Sequence, residues 1–171
     1  MSLDKKHLLA QLIERLQHSD RVAHRAEADA REAASSLATE SEKREDGRAA
    51  IEFGSLATGQ AARARRLAEE LQALTAFAEA PFPRFGRASP VALGAIVDVA
   101  TEDDDGPAER TFFMLPAGAG SELTGPDGDG FLSVITPASP VGRALMGRRA
   151  GETAEVTLAG EVREWTVLDV A

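Results

Sequence analysis

Two long stretches of the chain repeat apolar or small residues at alternating steps of three and four. Leu9, Leu12, Leu16, Ser19, Ala23, Ala26, Ala30, Ala33 and Leu37 make the first stripe, and Phe53, Ala57, Gln60, Ala64, Leu67, Leu71 and Leu74 the second. This is the a/d period of helices packed along a seam. The first helix is predicted to open on Asp4, a capping residue, and to run to residue 38; the second spans residues 45–78. Joined by a short polar segment containing Gly47, the two would bury their seams against each other as an antiparallel coiled-coil hairpin. At the α-helical rise each arm is roughly 40 Å long. Alanine dominates the distal seam, so the far half of the hairpin buries less area than its leucine-rich base and should be the less stable part. Gly54 and Gly59 interrupt the second helix at a cost of about 1 kcal/mol each relative to alanine, and tight interhelical packing is the expected reason.

Past the hairpin the period changes. Pro81, Pro83 and Pro90 exclude a helix over 80–90, which reads as a linker. Beyond it, 91–99, 110–115 and 131–135 read as short strands, separated by turns at 102–106 and 125–130. The second turn is rich in Asp and Gly but lacks EF-hand spacing, so a solvated turn is preferred to a calcium loop. Ser139 caps a short helix over 140–147, with Pro140 in its first turn and Gly147 at its end. Strands at 153–158 and 162–170, joined by Ala159-Gly160, close the chain. The expected class is α+β: a hairpin over 1–79, the linker 80–90, and a domain over 91–171 with an antiparallel sheet.

Charge adds a constraint. The formal net charge is −9; residues 1–80 hold 12 of the 19 basic and 14 of the 28 acidic side chains, leaving 7 and 14 for the rest. Direct, non-specific binding to nucleic acid needs a cationic face, which this balance does not supply. No cysteine is present, which excludes disulfides and thiolate metal sites and fits a reducing compartment. The first residues lack the apolar run of a signal peptide, and no stretch approaches the roughly 20 apolar residues of a membrane span, so a cytoplasmic location is expected.

The usual catalytic constellations do not appear. His7, His18 and His24 lie on the first predicted helix, eleven and six residues apart rather than at the three or four spacing a metal site needs, which favours exposed positions over a metal site. There is no Gly-rich phosphate loop followed by lysine and no Gly-x-Ser-x-Gly elbow, so a self-contained enzyme is not expected. What stands out is the hairpin tip, near 40–47, where Glu40, Glu42, Glu45 and Asp46 fall together. Their mutual repulsion costs energy unless a cation or a partner compensates it. Carboxylates are suitable ligands for magnesium, and Glu42 and Glu45, three apart, would lie on one side of a helical turn. Such a tip offers half a metal site rather than a whole one.

These features resemble the GreA/GreB family of bacterial transcript cleavage factors. Residues 135–147, Ile-Thr-Pro-Ala-Ser-Pro-Val-Gly-Arg-Ala-Leu-Met-Gly, are similar to that family's Ser-Pro-Ile/Val-x-x-Ala/Gly-Leu-Ile/Met-Gly segment, and Ala150-Gly151-Glu152 and Gly160-Glu161-Val162 follow as they do there. The resemblance implies an FKBP-like C-terminal domain docked at the rim of the RNA polymerase secondary channel, with Ser139, Pro140, Val141, Arg143 and Leu145 as the candidate partner-binding residues. It implies a hairpin that enters the channel, where Glu42 and Glu45, supported by Glu40 and Asp46, would hold a magnesium ion shared with the polymerase and promote cleavage of backtracked RNA. Nucleic acid would be met only through the elongation complex, and the factor would act as a monomer. The family tip carries Asp-x-x-Glu; here the matching positions read Glu42-Lys43-Arg44-Glu45, and the usual Asn-Ala-Glu-Tyr continuation reads Asp46-Gly47-Arg48-Ala49. Glutamate is one methylene longer than aspartate. Acid-tipped homologues that inhibit the polymerase without cleavage are the alternative. An FKBP-like prolyl isomerase or chaperone is the more remote one, since core packing accounts for Phe112, Phe113, Phe131 and Trp165.

Overall fold

A computed structural model describes the backbone of residues 4–40, 46–86, 88–103, 106–125, 131–158 and 160–171, with side chains over the same ranges except 37–40, 46–50 and 103. Two long helices, α1 (Lys5–Glu40) and α2 (Asp46–Glu79), precede six strands and a short helix: β1 (Ile96–Asp103), β2 (Gly106–Met114), β3 (Glu122–Thr124), β4 (Phe131–Ile135), α3 (Pro140–Leu145), β5 (Thr153–Leu158) and β6 (Glu161–Val170). The architecture is α+β, a helical hairpin and a sheet domain. Two compact units divide it, one of Met1–Ile13 with Ala73–Ala171 and the other of Glu14–Gln72. That division does not fall at 80–90, where the linker is expected.

Helix α1 begins where its cap predicts. The Asp4 carboxylate accepts from the backbone N–H groups of Lys6 (3.0 Å) and His7 (3.3 Å), satisfying donors that a helix start leaves open. Within the unit Glu14–Gln72, Ala23, Ala30, Ala57 and Ala64 are buried, while Leu16, Ser19, Ala26, Ala33, Gln60, Leu67 and Leu71 are half-buried. The predicted seam therefore faces inward along both helices, with two corrections. Phe53, assigned to the seam, is 38% exposed; a phenyl ring is too large for a seam spaced by alanine. Gly54 and Gly59 do not serve tight packing either, because a Cβ at each would meet nothing within 4 Å.

The bases of the two helices belong to the sheet domain's unit. Leu8, Leu9, Leu12 and Leu74 are buried. The Gln11 side chain bonds β3 twice, accepting from Thr124 N–H (3.1 Å) and donating to Thr124 Oγ1 (3.3 Å). Lys5 Nζ donates to the Ala171 backbone oxygen (2.8 Å) and lies 4.6 Å from the centre of the Phe85 ring. Within 80–90, Phe82 sits edge-on to Phe77 and stacks on Phe113 at 6.3 Å.

The sheet order is β3-β4-β2-β1-β6-β5. It is mixed, which corrects the antiparallel expectation: β2 and β4 run parallel, with Phe112 opposite Ser133 and Met114 opposite Ile135. The chain leaves β2 through Pro116 and the positive-φ Gly118 and Gly120, crosses to the far edge as β3, and returns as β4 pointing the same way as β2. A side chain at position 118 would be strained, since φ is +85 and an added Cβ would lie 2.8 Å from Leu12 Cδ2, which would have to shift. The first strand begins at Ile96, not at 91. Gly94, at φ +88, breaks the extended run, and Val91 instead bonds Arg148 and Gly147 through its backbone. One sheet face carries the main core, with Val97, Val99, Met114, Val156, Trp165 and Val167 packed with Leu145 of α3. On the other face Ile96, Phe113, Leu123, Leu132 and Val134 are buried too.

Candidate functional site

The segment singled out in the sequence forms a compact cap-and-helix unit. Ser139, in extended conformation, stands at the N-cap of α3 and Pro140 occupies the first turn, where its missing N–H costs nothing. One hydroxyl organises the whole entry. Ser139 Oγ donates to the Thr136 carbonyl (2.8 Å) and accepts from Thr136 N–H (3.2 Å) and Gly142 N–H (3.1 Å). That leaves no space at residue 142: an added Cβ would stand 1.9 Å from the Thr136 carbonyl oxygen. At the other end, Gly147 adopts φ +79 and donates its N–H to the Val91 carbonyl (2.8 Å), which ends the helix and ties it to the loop before β1.

The five candidate partner-binding residues therefore separate by role. Pro140 and Arg143 are exposed, with Pro137 and Ala138 beside them. Ser139 is half-buried and already bonded, Val141 packs against the core, and Leu145 is fully buried within it. A partner can reach Pro140 and Arg143 directly, whereas Leu145 and Ser139 act by holding α3 in place. Sequence reasoning placed Thr136 and Gly142 in this segment but missed their roles in the cap; the signal for Gly142 is a glycine inside a helix, where it is otherwise costly.

At the tip, Glu42 and Glu45 lie outside the described residues, and so do the side chains of Glu40, which ends α1, and Asp46, which opens α2. The 126–130 loop weighed as a calcium site is outside them too. Among the described residues no group of three or more His, Asp or Glu side chains is arranged to hold a metal ion. The three histidines are exposed, and His24 lies between Asp20 (3.5 Å) and Glu27 (3.7 Å) on its own helix. Trp165 is buried and stacked on Phe112 at 5.4 Å, and Phe113 is fully buried, while Phe131 is exposed.

Residues 87–171 match the family model described as transcription elongation factor, GreA/GreB, C-terminal domain. The chain belongs to the GreA/GreB family. Its sheet domain, with the Ser139-capped helix, is the family's C-terminal domain, and the two long helices precede it. Comparison with curated proteins gives no match. Among solved structures, the chain is similar to GreA factor homolog 1 (Gfh1) of Thermus thermophilus, at 20% identity over 93% of this chain and 94% of that one, with a TM-score of 0.36. It is likewise similar to Gfh1 of Thermus aquaticus, at 22% identity over 92% of each chain and a TM-score of 0.38. No described helix of this family member is long and apolar enough to cross a membrane.

Proposed function

We propose that this factor binds RNA polymerase during elongation, and that the acidic connection between α1 and α2 acts at the polymerase active centre through the secondary channel. The observation that carries the reading is the family's C-terminal domain, joined in one chain to two long helices whose link holds Glu42 and Glu45. Pro140 and Arg143 offer the accessible part of the docking segment. Glu42 and Glu45, with Glu40 and Asp46 in support, promote cleavage of backtracked RNA. Their oxygen-only donor set suits magnesium, which, shared with the polymerase, would supply Lewis-acid activation of the attacking water. The factor's own share is to place carboxylate oxygens beside that ion and to orient the water.

Stalled elongation complexes incubated with the protein are expected to release short 3′ RNA fragments, at lower magnesium than without it. Glu45→Ala should abolish the release. A second reading, an elongation modulator that does not cleave, is favoured by one residue: Glu42 extends a methylene beyond the aspartate found at this position in the family. In that case the protein slows nucleotide addition in a tip-dependent way, releases no fragments, and gains cleavage when Glu42→Asp shortens the acid. Absence of polymerase binding in either assay would sink both readings.

A further inference from the structure

Two stretches of the C-terminal half contain no carboxylate side chain, residues 80–97 and 130–151. Together they hold Arg84, Arg87, Arg143, Arg148 and Arg149, five of the seven basic residues in 81–171; the other two are Arg110 and Arg163. The 14 acidic side chains of 81–171 all lie outside them. A surface built for solubility alone would intersperse the two signs.

The fold joins the two stretches. Val91 N–H donates to the Arg148 carbonyl (2.7 Å), Gly147 N–H to the Val91 carbonyl (2.8 Å), and Arg149 Nη1 to the Ala88 carbonyl (2.8 Å). Arg84, Arg143, Arg148 and Arg149 are exposed, while Arg87 lies outside the described residues. The side chains of Arg84, Arg143 and Arg148 make no hydrogen bond or ion pair among the described residues. Glu152, the first carboxylate beyond them, accepts the Arg149 backbone N–H (3.0 Å) and pairs with no guanidinium among the described residues. Other arginines of the chain are neutralised in place, Arg31 by Glu27 at 2.6 Å and Arg163 by Glu161 at 2.9 Å. Arg149 is held differently, since its bond to a neutral carbonyl orients the guanidinium and leaves its charge and further N–H donors open. Carboxylates are the matching ligands, because the planar fork of arginine bonds their oxygens in pairs. Nucleic acid fits less well. Duplex phosphates recur at about 1.7 Å of axis per charge, so a strand longer than the patch would run onto a surface where 14 acids face only Arg110 and Arg163.

We infer that Arg84, Arg143, Arg148 and Arg149, on these joined segments, form a docking surface for an acidic polypeptide segment. The inference rests on the polymerase reading, in which Pro140 and Arg143 are the accessible docking residues, and adds the chemistry that the partner brings. The full-length protein is titrated with acetyl-Gly-Glu-Glu-Gly-Glu-Glu-Gly-amide at low salt while backbone amide shifts are followed by NMR, and its binding to RNA polymerase is measured in parallel. Saturable shifts over residues 84–89 and 143–149 are expected, and none with the glutamine analogue. R143Q/R148Q should weaken peptide and polymerase binding about fivefold, the size expected when two exposed ion pairs are lost, whereas R110Q should leave both unchanged. Neither Arg143 nor Arg148 has a side-chain partner to lose, so the melting temperature of the double variant should match that of the wild type. R143K/R148K, which keeps the charge without the fork, should retain part of the affinity. Polymerase binding that R143Q/R148Q leaves intact overturns this inference and spares the polymerase reading; saturable peptide binding at the patch without polymerase binding does the reverse. Peptide shifts that do not saturate, that spread to the arginines of α1 and α2, or an oligothymidylate of equal charge that binds the patch more tightly would also overturn it.

Discussion

Ser139 makes three hydrogen bonds with one hydroxyl, and Gly142 leaves the space that lets it do so. Ser139→Ala removes the cap and should cost about 1–2 kcal/mol in urea unfolding. Gly142→Ala forces a methyl against a backbone carbonyl and should cost more, about 3 kcal/mol or above. A reversed order would mean that α3 shifts freely, contrary to its ties to Thr136 and Val91. The sequence displayed this cap in full, because Ser-Pro before an apolar run is a local signal; the tight approach at Gly142 depends on Thr136 folding back, and a glycine inside a short helix is its one local trace. Lys5 makes a different point. Desolvation by burial lowers its pKa below 10.5. Between the folded value and 10.5 the unfolded chain therefore binds more protons, so this group's contribution to stability rises with pH across that window. With no tyrosine or cysteine and two other lysines, Lys6 and Lys43, the alkaline range is uncluttered. The slope should be visible in pH-dependent unfolding and flattened by Lys5→Gln.

At the level of elements, the hairpin helices were legible because their period is local, and the cap at Asp4 fixed one end of α1. What periodicity does not reveal is which seam residues fit, and Phe53 is the case that shows it: the ring stays outside an alanine-spaced seam. Gly54 and Gly59 then lack any steric reason to be glycine. Gly54→Ala and Gly59→Ala should each stabilise α2 by up to about 1 kcal/mol, read as slower amide hydrogen exchange over its distal half. No gain in protection would mean that the helix is not continuous there. The sheet was less legible. Three-residue β3 exists through its bonds to β4 and to Gln11, and the parallel β2–β4 pair is set by residues far apart in sequence; neither leaves an alternating pattern long enough to detect.

For the whole molecule, sequence identified the acidic connection, the Ser139 segment and the family whose C-terminal domain the model match supports, since each signal is a cluster of adjacent residues. Glu45→Ala should leave thermal stability within about 0.5 kcal/mol, as expected for a surface change, while removing cleavage. The hydrogen bonds of Lys5 and Gln11 carry one more implication. Lys5 meets its partner 166 positions later, and Gln11 its partner 113 positions later. Closures this long are slow, and they can form only once Thr124 and Ala171 have been made. During synthesis the first turns of α1 must therefore wait, with Leu8, Leu9 and Leu12 uncovered, until β3 and the final strand appear. For that interval the nascent factor presents a leucine-rich helix to the cell, and residues made more than a hundred positions later are the ones that put it away.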